Sequence, residues 1–111
     1  MEQSKALAAL AALANETRLV LIRLLVARGE SGLAAGVIAA EFGMSASRLS
    51  FHLGALEQAG LVKARRESRN VYYAIDHATI GGLIAYLLED CCKADPRVTS
   101  RCDGFVRARE P

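Results

Sequence analysis

Two adjacent cysteines, Cys91-Cys92, and a third further on, Cys102, are the side chains of this 111-residue chain best suited to soft-ion or thiol chemistry. Three thiolates with no histidine near them form a donor set for a thiophilic ion. Trivalent arsenic or antimony takes three sulfurs in a pyramid, with a lone pair at the apex, and needs no fourth ligand. Two adjacent cysteines can share one such centre, and the polar stretch after them can bring Cys102 back to complete it. Other readings stay open at this point. The pair could be inert thiols at a helix end, the cysteines could form a regulatory disulfide that makes a redox sensor, or two of them could hold a methylated trivalent arsenical.

The surroundings of these thiols narrow the class. An odd cysteine count points to reactive or metal-binding thiols more than to a disulfide framework. The start, Met1-Glu2-Gln3-Ser4, lacks the basic flank of a signal peptide. No run approaches the roughly 20 apolar residues of a membrane span. A cytoplasmic location, where thiols stay reduced, is the expectation. A thiol oxidoreductase would place a cysteine-x-x-cysteine at a helix start, and no serine-histidine-acid or paired-carboxylate arrangement stands out. The enzyme class is therefore set aside. A metal-buffering protein or a constitutive architectural DNA binder are rivals of other kinds.

The net charge is only +2, from 14 Lys+Arg against 12 Asp+Glu. Its distribution says more, because Lys63, Arg65, Arg66 and Arg69 crowd one stretch opposed only by Glu67. Aromatic content of 5% without tryptophan argues against stacking on unpaired bases. The length fits one domain, and dimerisation is one way to cover surplus apolar surface.

Periodicity and capping chemistry predict the elements that position these groups. Leu7, Leu10 and Leu13 form an apolar stripe on a helix from about Ser4 to Ala14. Asn15 caps a second helix with Leu19, Ile22, Leu25 and Val26 on one side and Arg18 and Arg23 at its edges. A short helix near Leu33 to Phe42 ends at Gly43, and Ser45 caps a fourth, Ala46 to Gln58, in which Leu49, Leu53 and Leu56 recur at helical spacing. After Gly60 the pattern alternates. Leu61 to Arg66 and Val71 to Ile75 read as two strands joined by Glu67-Ser68-Arg69-Asn70. Asp76 caps a last helix with Ile80, Ile84, Leu87 and Leu88 on its apolar side. Gly81-Gly82 weakens that helix by roughly 1 kcal/mol per glycine unless a partner comes close there. Residues 91–111 read as a flexible, irregular tail carrying the cysteines, with Asp95-Pro96 discouraging helix, and residues 1–90 as the folded domain.

The order helix, helix, helix, turn, helix, hairpin, helix is that of a winged helix-turn-helix: mainly α, with a β-hairpin wing. In such a fold one helix enters the major groove while the preceding one braces it. Leu49, Leu53 and Leu56 supply the buried face, and Ser47, Arg48, Ser50 and Phe51 lie in the first turns of the other faces, where base edges would be met. Arg66 and Arg69, on the hairpin, suit backbone phosphates. Singly, each residue has a plainer reading. Ser45 and Ser50 could be a cap and a surface residue, the arginines could keep an edge strand soluble, and His52 could be a structural histidine.

Taken together, Asn15-Glu16-Thr17-Arg18-Leu19, Ser45-Ala46-Ser47-Arg48-Leu49-Ser50-Phe51-His52-Leu53, Ala59-Gly60-Leu61-Val62 and Arg65-Arg66-Glu67-Ser68-Arg69-Asn70-Val71-Tyr72-Tyr73 resemble the ArsR/SmtB family of metalloregulatory repressors. The resemblance implies a homodimer through the first and last helices, binding double-stranded operator DNA without a cofactor and leaving it when an inducer binds. It maps the reading positions onto Ser47, Arg48, Ser50 and His52. A cysteine pair in the helix before the turn, familiar in the family, is replaced here by Leu33-Ala34-Ala35-Gly36-Val37. The zinc-type site of the last helix would need an aspartate-x-histidine, and Asp76 and His77 are adjacent instead. Some arsenic-responsive members carry a vicinal pair after the last helix and another cysteine beyond, as this chain does. The expectation is a resistance-operon repressor with As(III) or Sb(III) as inducer at Cys91, Cys92 and Cys102.

Overall fold

The computed structural model describes residues 1–108 of the chain, and side chains as far as Cys102. Helices α1 (Gln3–Leu13) and α2 (Glu16–Arg28) are followed by a 3₁₀ turn and the short strand β1 (Leu33–Ala34). Then come α3 (Ala35–Phe42), α4 (Ala46–Gln58), strands β2 (Val62–Glu67) and β3 (Asn70–Ile75), and α5 (His77–Ala85). A π-helical turn, Tyr86–Cys91, extends α5, and α6 spans Pro96–Ala108.

Each predicted cap forms. Asn15 Oδ1 accepts from the Arg18 amide at 3.1 Å, Ser45 Oγ from Arg48 at 3.2 Å, and Asp76 Oδ1 from Thr79 at 3.1 Å. Each occupies one amide that the first helical turn leaves without an internal partner. Gly43 ends α3 in the left-handed conformation, which an L side chain enters at a steric cost.

The centre of the fold is built from Leu21, Leu25, Ile38, Leu49, Leu53, Leu56, Leu61 and Ile75, all fully buried. Burial of each such side chain contributes about 1.5–3 kcal/mol, and together they fix α4 against α2, α3 and the sheet. Three details differ from the sequence reading. On α2 the inward residues are Leu21 and Leu25, whereas Leu19 and Val26 are about half exposed. On α1 the inward face is Ala6, Ala9 and Ala12, and Leu7 and Leu10 point out. Leucine and alanine are both apolar, so periodicity alone could not say which stripe faces this chain's own core.

The third difference is at Leu33-Ala34, which is strand and not the start of α3. These two residues pair antiparallel with Tyr73 and Tyr72, giving a sheet of order β1-β3-β2. Gly32 makes the approach possible. Its φ is +71°, and a side chain there would run into the Tyr73 carbonyl. In the wing, β2 and β3 pair from Val62↔Ile75 to Glu67↔Asn70, leaving Ser68-Arg69 as the turn.

The stretch after Cys91 also departs from expectation, because Asp95-Pro96 starts a helix instead of preventing one. Proline needs no amide partner in the first turn and its fixed φ is already helical. Asp95 accepts from the Arg97 amide at 2.8 Å, and its own carbonyl accepts from Val98 and Thr99. No helix among the described residues is long and apolar enough to cross a membrane.

Candidate nucleic-acid interface and thiol site

Helix α4 presents two faces of different chemistry. Leu49, His52, Leu53 and Leu56 are buried, a stripe at the i, i+3, i+4, i+7 spacing of a core-facing helix. Ser47, Arg48, Ser50, Phe51 and Gly54 are exposed on the other faces. Ser47 Oγ lies 3.4 Å from the capping Ser45 Oγ. Short hydroxyls and a free guanidinium at the start of a helix are what base edges and phosphates accept.

His52 does not belong to that exposed set. Only 9% of its surface is accessible, and its Nδ1 accepts from Arg18 Nε at 3.2 Å. Burial, with the Arg18 charge second and Arg48 third, lowers its pKa below the ordinary 6.5, which favours the neutral ring. The reading position assigned to His52 by family likeness is thus a structural one, and the large side chain at the surface is its neighbour Phe51. The helical spacing from Leu49 already carried that information.

Arg18 links three helices. Besides His52 it donates through Nη1 to the Ala12 carbonyl at 3.4 Å, and its guanidinium carbon lies 5.4 Å from the Phe51 ring centre. Sequence reasoning placed it at the edge of α2 without a role. Nothing local in the sequence announces a pairing that spans from residue 18 to residue 52.

The cations of the wing differ in what they touch. Arg65 is engaged: it pairs with Glu67 at 2.9 Å, reaches the Ser31 carbonyl at 3.4 Å, and lies 5.1 Å over the Tyr72 ring. Lys63, Arg66 and Arg69 are exposed and make no ion pair among the described residues. Arg66 and Arg69, expected at phosphates, thus stand at the open surface of the wing.

The comparisons with known proteins agree with this geometry. A family model described as "Helix-turn-helix domain" matches residues 13–65. The chain is 33% identical to the transcriptional activator HlyU of Vibrio cholerae over 83% of its own length and 82% of that protein. It belongs to the ArsR-like family of winged helix-turn-helix transcriptional regulators. A homodimeric winged helix-turn-helix DNA-binding domain from Mycobacterium bovis, a possible ArsR-family regulator, superposes with a TM-score of 0.63. That match has 33% identity and covers 86% of this chain and 82% of the other. A probable mercury resistance operon repressor of Streptomyces lividans is 35% identical over 82% of this chain and 69% of its own length.

The thiols of this family member lie at the end of the α5 extension and on α6. Cys91 closes the π-helical turn and is exposed, Cys92 follows it and is half-buried, and Cys102 sits half-buried on α6. Burial, then the neighbouring Cys91, pushes the Cys92 thiol above its ordinary pKa. Among the described residues no three His, Cys, Asp or Glu side chains converge into a metal-holding group, so Cys102 is not brought to the pair. Lys93 and Ala94, between pair and helix, both take positive φ, 53° and 54°, an uncommon conformation for side-chain-bearing residues. A groove of about 390 Å³ runs beside Cys91, lined by Leu7 and Leu10 of α1 and by Tyr86, Leu87 and Asp90.

Proposed function

We propose that this ArsR-like regulator is a homodimeric repressor that holds operator DNA through α4 and the wing, and releases it when trivalent arsenic or antimony binds Cys91, Cys92 and Cys102. The observation that carries this reading is the position of the vicinal pair. Cys91 borders the groove between α1 and the extension of α5; Leu7, which lines it, is 57% exposed, and Ile84 of α5 is 54% exposed. Two outward apolar helix faces of this kind are what a second copy would cover. The homodimeric Mycobacterium bovis relative supports a twofold assembly.

Thiol geometry favours an ion over a bond within the pair. Adjacent Cα atoms are about 3.8 Å apart, below the roughly 4.4–6.8 Å that an unstrained disulfide prefers. A trivalent arsenical instead bridges neighbouring sulfurs directly. Recruiting Cys102 requires α6 to swing about the Lys93-Ala94 link, or the partner subunit to supply the third thiol. Either movement starts at the helix that would hold the dimer together. A coupling of about 1–3 kcal/mol between the two sites would lower operator affinity several-fold to over a hundredfold. The likeness to a mercury resistance repressor supports a thiophilic ion as the inducer class.

The test is fluorescence anisotropy of labelled DNA from the region upstream of the protein's own gene, with reduced protein and then arsenite. Release of wild type and retention of Cys91→Ser is the expected result. Release by hydrogen peroxide but not by arsenite would replace the inducer with an oxidant. Unchanged arsenite response in Cys102→Ser would reduce the site to a dithiol, the form a methylated arsenical needs.

A further inference from the structure

Phe51 is an aromatic side chain that the core does not use. It stands on the exposed face of α4 with 68% of its surface open, and shares that face with Ser47, Ser50 and Gly54 at helical spacing. Gly54 adds no bulk there, since a Cβ at that position would meet nothing within 4 Å. The ring is nevertheless held. Arg18 lies 5.4 Å from its centre, the His52 ring meets it edge-on at 5.4 Å, and Arg18 is tied back to His52.

From this placement we propose that Phe51 reads sequence, packing its ring against the C5-methyl group of a thymine in the major groove. The proposal rests on the DNA-binding reading of α4 and names one of its specificity determinants. The thymine methyl is the apolar feature of the major-groove edge. Ser47, Arg48 and Ser50 can satisfy polar base atoms, whereas a phenyl ring can satisfy none. Set against cytosine, the ring would cover an amino donor and leave it unpaired, which disfavours that base. Arg18 and His52, packed behind the ring, limit the rotamer freedom lost when it enters the groove.

The test removes one methyl group at a time. The full chain selects its operator from a random duplex library, and each thymine of that duplex is then replaced by deoxyuridine. Affinities are measured by anisotropy for wild type, Phe51→Ala and Phe51→Leu, with thermal melts confirming that all three fold. At one thymine per half-site, wild type should lose about fourfold in affinity, and about fifteenfold when both half-sites are replaced. Phe51→Ala should bind more weakly and be indifferent to the same replacement, and Phe51→Leu should keep part of the discrimination. Wild-type indifference at every thymine, or an undiminished loss in Phe51→Ala, overturns the proposal. Failure to enrich any sequence would strike down the DNA-binding reading itself, and this proposal with it.

Discussion

Arg18 donates through Nε to Nδ1 of His52 at 3.2 Å, joining α2 to the inner side of α4. The same guanidinium reaches the Ala12 carbonyl at the end of α1. One side chain thus connects a helix proposed to meet the partner subunit with the helix proposed to meet DNA.

Acidification should loosen this connection. The folded protein holds His52 below its ordinary pKa of 6.5, chiefly through burial, so the unfolded chain takes up a proton where the folded chain does not. The contribution is complete above about pH 6.5 and is lost as pH falls from there toward the lowered folded value. Thermal melts between pH 8 and pH 5 should show a steeper acid-side fall in Tm for wild type than for His52→Asn. Parallel curves would assign the acid sensitivity to other groups.

The wing arginines should separate in their salt response. Arg69→Ala, taken twice in a dimer, should make the slope of log K against log salt shallower by about 1.8, and Arg66→Ala should act alike. Arg65→Ala should leave the slope near its wild-type value, because Arg65 is paired with Glu67 and stacked over Tyr72. Equal effects for all three would mean that the pairing opens on DNA.

Glutamate at either exposed apolar position of the proposed dimer face should produce folded monomers. Leu7→Glu and Ile84→Glu both place charge on surface that the subunit's own core does not need. Sedimentation should show the lower mass, with operator affinity reduced roughly a hundredfold or more as the second half-site contact is lost. A dimer that survives both changes would place the interface elsewhere.

Gly32→Ala should destabilise by more than about 1 kcal/mol, because φ is +71° and the Tyr73 carbonyl occupies the space a side chain would need. Urea unfolding gives the shift in midpoint. Gly29→Ala, also at φ +71° but with nothing within 4 Å, isolates the backbone strain from the collision.

The elements legible in the sequence were those specified by short-range chemistry. Asn15, Ser45 and Asp76 cap because each side chain needs only an amide three residues on, and Leu49, Leu53 and Leu56 mark a buried stripe by spacing alone. The same spacing includes His52, so its inward position was available from periodicity and was masked by motif likeness. What could not be read depends on distant partners. The strand at Leu33-Ala34 exists because Tyr72 and Tyr73 come alongside, the alanine face of α1 is chosen by what α1 packs on, and Arg18 finds His52 only in the folded chain. Asp95-Pro96 was legible but ambiguous, since proline both ends and begins helices. The placement of Cys102 away from the pair is a tertiary matter with no local signature.

The π-helical turn Tyr86–Cys91 holds one residue more than an α-helical turn over the same rise. Deleting a single residue within it would restore ordinary helix, and because the widened turn has absorbed that residue, Cys91-Cys92 would keep nearly their present bearing, leaving α4 and the wing untouched. The turn is thus a place where the chain can gain or lose one residue while Cys91 keeps its post beside the groove.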